Sequence, residues 1–149
     1  LGGGGIYNGD GATLNLTDST VSNNATQAQP GAGIYGFFNS TINITRSTVR
    51  GNFSGDVAGG LRLLSNGTIV NSTFSDNAST WDGGAIHHHG SSLRIVNSTF
   101  SGNATTNSGG AIDHSGGSLR IANSTFVSNT ADRYGGSLWT NGTIKDWMQ

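Results

Sequence analysis

The chain alternates apolar and polar residues in short runs rather than long ones. The segments TLNLT (13–17), TINIT (41–45) and SLRIV (92–96) each place apolar side chains at every second position. Period two buries one face of a strand and wets the other, so these segments are predicted strands. The runs recur in phase. An apolar residue follows a Gly-rich corner at Ile6, Ile34, Leu61, Ile86, Ile112 and Leu138, with steps of 28, 27, 25, 26 and 26 residues. A second series runs Leu14, Ile42, Leu93 and Leu119, with Gly67 and Gly142 in its third and sixth places, and a third runs Leu16, Ile44, Ile69, Ile95, Ile121 and Ile144. Behind them come Ser19, Ser47, Ser72, Ser98 and Ser124, then Val21, Val49, Phe74, Phe100 and Phe126. Repeats of this length that cannot each bury their own apolar face must stack to share one.

The predicted fold is therefore all-β: a parallel β-helix, a solenoid of about five and a half coils of 25–28 residues, with three short strands per coil. Residues 1–149 form one domain whose coils start near residues 3, 31, 58, 83, 109 and 135. The Val/Phe and Ile/Leu columns should fill a narrow core. Serines suit the tight bend. Asn24, Asn52, Asn77, Asn103 and Asn129 recur three residues after the Val/Phe column and read as a structural asparagine ladder, in which amides one coil apart bond to each other and to turn backbone.

Composition changes this picture little. The chain holds 25 glycines, one proline, no cysteine and no glutamate, with 10% charged residues and a net charge of −1. A globular domain of alternating longer elements carries about 25% charged residues. With no basic cluster, nucleic acid is not an expected partner, and no apolar run approaches the roughly 20 residues of a membrane span. The chain opens at Leu1 without a methionine or a charged, apolar leader, which suggests a processed protein or a fragment.

The tetrapeptide GGAI at 83–86 and 109–112 alternates with FxxN at 74–77, 100–103 and 126–129. This alternation resembles the repeat of bacterial polymorphic outer-membrane proteins, and more broadly the pectate-lyase-like β-helices. The first two coils depart from it, with GGGI and GAGI at the corner and VSNN and VRGN for FxxN. The resemblance implies right-handed coils, a cell-surface or extracellular location, and adhesion or assembly rather than a reaction.

Candidate chemistry is sparse. The eight acidic residues are all aspartates, and no two are forced onto one strand face; Asp56 and Asp82, in consecutive loops, come nearest to the carboxyl pair that glycoside hydrolysis needs. A non-catalytic protein is expected, with no cofactor. Tyr7, Tyr35, His87 and Trp139 share an outward row, next to Arg62 and Asp113, and form a possible glycan-binding strip; Arg94 and Arg120 stack on another outer strand. His88 and His114 should point inward as a stacked pair. His87, His89 and Asp113 are the only candidate metal ligands, and they lack the ligand number and supporting contacts of a metal site, so none is expected. Of the many N-x-S/T sequons, Asn39, Asn66 and Asn141 lie in predicted turns or loops and are the preferred N-glycan acceptors, followed by Asn15 and Asn43 on strands. The terminal coils suggest head-to-tail self-association into a filament through Ile6, Leu14, Leu16, Ile144, Trp147 and Met148. The partners expected are thus a second copy of the chain and surface glycans. Carbohydrate binding or cleavage is the rival reading. Ice binding is a third, on the column Thr20, Thr48, Thr73, Thr99 and Thr125, which lacks a parallel second column.

Overall fold

The computed structural model describes residues 3–148, with side chains as far as Lys145. All strand pairings among these residues are parallel, and each strand pairs with its counterpart one coil away. The first sheet stacks Ile6–Asn8, Ile34–Gly36, Leu61–Leu63, Ile86–His88, Ile112–His114 and Leu138–Thr140. The second stacks Thr13–Thr17, Thr41–Thr45, Asn66–Val70, Ser92–Val96, Ser118–Ala122 and Thr143–Met148. A third runs from Thr20–Ser22 to Thr125–Val127. The chain is a β-solenoid.

Each full coil carries a fourth strand beyond the three expected, from Ala25–Thr26 in the first coil to Thr130–Ala131 in the fifth. It is two residues long and reads Ala-Thr, Phe-Ser, Ala-Ser, Ala-Thr and Thr-Ala, which is too short to display an alternation. The core is the set of inward columns. Ile34, Ile42, Ile44, Leu61, Ile69, Ile86, Leu93, Ile95 and Ile112 are fully buried, and the rings of Phe74, Phe100 and Phe126 stack at 5.2 and 4.9 Å.

The bends are built by left-handed residues. Asp18, Arg46, Asn71, Asn97 and Asn123 hold φ between 47° and 51° immediately before the serine column. Each serine then bonds along the stack: the backbone N–H of Ser47 donates to Ser72 Oγ at 3.2 Å, and that of Ser72 to Ser98 Oγ at 3.2 Å. Asn and Asp tolerate this conformation better than other side chains, because a short polar group can bond locally. At the opposite corner Gly83 and Gly109 have φ of 64° and 66°, and a Cβ there would lie 2.1 and 2.3 Å from the carbonyl oxygens of Ile86 and Ile112. Only glycine meets both demands.

The sixth coil departs from the expected register. Ile144 pairs with Leu119 rather than with Ile121, and beyond Lys145 the extra residue Asp146 shifts the register so that Trp147 takes the place opposite Ile121. Ile144 therefore belongs to the second apolar series and Gly142 lies outside the sheet, against the His114 ring. The side chains of Trp147 and Met148 lie outside the described residues.

Candidate functional site

The outward row of the first sheet is the chemically richest line on the molecule. Tyr7, Tyr35, Arg62, His87, Asp113 and Trp139 stand opposite one another on successive coils. Adjacent strands lie about 4.8 Å apart, so each side chain stands within reach of the next. At one end Tyr7 and Tyr35 meet edge to face at 5.5 Å, and Phe37 packs against both.

Alternation aims this row outward, yet it is largely covered. His87 and Asp113 are only 8% and 2% exposed. Loop residues preceding the glycine corners cover them, and these loops carry no periodic signal that a sequence reading could register. The result is a pocket of about 390 Å³. Asp113, His87 and Asp82 line it together with Asn107 and Ser108, and Tyr134, Trp139 and Ser115 complete its wall. Asp82 Oδ1 accepts hydrogen bonds from Asn107 Nδ2 at 2.7 Å and the Ser108 backbone N–H at 3.1 Å. Asp82 thus meets Asp113, not Asp56, which lies outside the pocket.

A relay runs beneath the pocket. Arg62 Nη1 lies 3.2 Å from His87 Nδ1, and His87 Nε2 lies 3.4 Å from Asp113 Oδ1. A guanidinium can only donate, so Nδ1 accepts and the proton of the neutral imidazole sits on Nε2, facing the carboxyl. Burial, with the Arg62 charge beside it, pushes the His87 pKa down to about 3. Burial also pushes Asp113 up to about 7; the nearby Asp82 charge adds to this and Arg62 opposes it. The acid is therefore substantially protonated at neutral pH.

The chain belongs to the right-handed β-helix family. The family described as the right handed beta helix region matches residues 1–131, which gives the coils their hand. No curated protein and no solved structure matches the chain.

The remaining candidates of this β-helix fall elsewhere. Both nitrogens of His87 already face Arg62 and Asp113, and His89 Nδ1 lies 3.0 Å from Ser115 Oγ. No group of three metal-binding side chains occurs among the described residues. No helix among them is long and apolar enough to cross a membrane. His88 and His114 are fully buried and stacked at 5.0 Å, with Nδ1 to Nδ1 at 2.9 Å.

The asparagine column is a hydrogen-bonded ladder. Asn52 and Asn77 each donate both backbone N–H and Nδ2 to the Oδ1 of the asparagine one coil on, and the same pattern links Asn24 and Asn103 to their neighbours at 2.9–3.2 Å.

Among the sequons, Asn39 is exposed at a left-handed turn, where its Nδ2 donates to Asp10 Oδ1. Asn141 is exposed, and Asn66 is the exposed first residue of a strand rather than part of a loop. Asn15 and Asn43 stack on one strand face, joined by a 2.9 Å bond. The exposed corner asparagines Asn71, Asn97 and Asn123 also begin sequons, and their signal in the sequence is the recurrent NST.

Proposed function

We propose that this β-helix is an extracellular or cell-surface module that recognises glycans, with the pocket on the first sheet as its binding site. One observation carries the reading: a buried carboxyl and imidazole form the floor of a pocket whose wall includes Trp139 and Tyr134. Sugar recognition needs this pairing, since an aromatic face covers the apolar side of a pyranose while a few fixed polar groups orient its hydroxyls. The aromatic cluster of Tyr7, Tyr35 and Phe37 continues the row and offers a longer chain further contact. The low charge and the exposed sequons at Asn39, Asn66 and Asn141 support an extracellular setting, with N-glycans carried by the protein itself.

Affinity electrophoresis in gels containing xylan, mannan, mixed-linkage glucan or laminarin tests the reading. At least one polymer should retard the protein, and Trp139→Ala should weaken that retardation about tenfold or more, the loss expected when a stacking ring worth about 1.4 kcal/mol or more is removed. Unchanged migration in all four gels removes the proposal.

Incomplete burial at the two ends favours a second reading, end-to-end stacking. Ile6, Leu14 and Leu16 at one end, and Leu138 and Ile144 at the other, are half-buried, whereas Ile44, Ile69 and Ile95 in the middle are fully buried. A further coil laid on either end would complete the burial, and a second copy of the chain can supply it. Sedimentation velocity over a concentration series should then show growing assemblies that Leu16→Lys disperses. A monomer at every concentration overturns this reading.

A further inference from the structure

The fold does not require a carboxyl at Asp113. Other coils place Tyr7, Tyr35, Arg62, His87 and Trp139 at the same register position, so the strand accepts aromatic, cationic and neutral polar side chains there. Nor does it require one at Asp82, whose place is taken by Ser108 and Tyr134 on the next two coils, Asp82 bridging to Ser108 and Ser108 to Tyr134. Burying a carboxyl is costly unless its surroundings are arranged for it. Here two carboxyls that the solenoid does not need converge on one pocket.

The arrangement around them is asymmetric. Asp113 is 2% exposed and holds one oxygen 3.4 Å from His87 Nε2, with Arg62 fixing that tautomer from behind. Asp82 instead sits in the loop wall, held by two donors, Asn107 Nδ2 and the Ser108 N–H. Asp113 is buried beside the His87 imidazole and Asp82 is held in the loop wall, and two carboxyls in such different settings on one pocket suit separate acid and base roles.

We propose that this pocket hydrolyses glycosidic bonds in neutral polysaccharides, with Asp113 as proton donor and Asp82 as base. This rests on the pocket being a glycan site. Asp113 transfers its proton to the glycosidic oxygen as the bond from that oxygen to the anomeric carbon breaks. A water molecule forms the new bond to the anomeric carbon, and its proton passes to Asp82. Exchange with solvent returns both groups to their starting states, so one water is consumed and two shorter glycans result. His87 and Arg62 do not touch the sugar in this scheme; they are positioning residues that hold Asp113. The substrate class follows from charge: no lysine or arginine lines the pocket, so a uronate carboxylate would face Asp82 without a counter-ion.

The test uses the full chain with cello-, xylo-, manno- and laminari-hexaose as probes, and mass spectrometry in ¹⁸O-water as readout. The expected result is shorter oligosaccharides from at least one probe, with one ¹⁸O at each new reducing end. Rates should fall as pH rises past about 7, where Asp113 loses its proton. Asp113→Asn and Asp82→Asn should each lower the rate about 100-fold or more, the range for losing a general acid or base. Both should keep the wild-type far-ultraviolet circular dichroism spectrum, which shows that they fold. Binding without cleavage of any probe overturns the catalytic inference and leaves glycan recognition standing. Absence of both binding and cleavage overturns the two together. Cleavage by Asp113→Asn at the wild-type rate removes Asp113 from its role.

Discussion

Asn77→Ala is expected to destabilise the protein by about 4 kcal/mol, several times more than the same change at the end of the ladder. Asn77 is fully buried. Its Oδ1 accepts from the Asn52 backbone N–H at 3.2 Å and from Asn52 Nδ2 at 2.9 Å, while its Nδ2 donates to Val49 O at 2.9 Å and to Asn103 Oδ1 at 3.0 Å. Four hydrogen bonds at about 1 kcal/mol net each give the magnitude, and the stranded Asn52 N–H and Val49 carbonyl, with no water to turn to, keep it from being smaller. Asn24 is half-buried and its side chain makes one ladder bond, to Asn52 Oδ1, so Asn24→Ala should cost about 1 kcal/mol. Urea unfolding followed by far-ultraviolet circular dichroism separates the two. Equal losses at both positions would mean that the ladder does not act as a continuous buried network.

The ladder and the core were legible in the sequence for the same physical reason. Parallel in-register stacking puts like on like, so a column in space is a series in the chain. Ile44, Ile69 and Ile95, or Asn52, Asn77 and Asn103, announce themselves by recurrence at one spacing. What failed to announce itself is what does not recur. The fourth strand has only two residues and a changing composition. In the sixth coil the extra residue Asp146 puts Trp147, not an aliphatic residue, opposite Ile121, so recurrence alone places Ile144 in the third apolar series instead of the second.

The pocket was legible only in part. His87, Asp113 and Trp139 could be placed on one outward row, because register alone fixes that. Their burial could not be read, since it depends on Asp82, Asn107 and Tyr134, residues of loops that vary from coil to coil. A solenoid separates the two kinds of information: the repeat encodes the scaffold, and departures from the repeat encode the site. Carboxyls at Asp82 and Asp113, where neighbouring coils carry Ser108, His87 or Trp139, are departures of that kind.

The buried histidines make a prediction about acid. His88 and His114 face each other inside the core, packed between Leu63 and Thr140 of the flanking coils, with the Ser65 carbonyl 3.2 Å from His88 Nε2 and no partner for His114 Nε2. Burial, reinforced by the proximity of His114, pushes the His88 pKa down to about 4, burial lowers His114 as well, and His87 on the outer row is pushed down to about 3. A depressed histidine means that the unfolded chain binds the proton first, so stability falls as pH drops below the ordinary value of about 6.5 and continues to fall to about 4. Asp113 acts in the opposite sense: raised to about 7, it binds a proton in the folded state that the unfolded chain releases, and stability falls as pH rises from about 4 to 7. Between about pH 4 and 6.5, two or more histidine protons oppose one carboxyl proton, which leaves a net uptake of at least one on unfolding. Over about 2.5 pH units that amounts to on the order of 3 kcal/mol, with greatest stability near pH 6.5. The double variant His88→Leu/His114→Leu, which repeats the Leu63 side chain along the inward row, should flatten the acid limb, and Asp113→Asn should steepen it. Urea midpoints measured from pH 4 to 8 decide the matter: an acid limb of unchanged slope in the double variant would show that the inward pair does not control it.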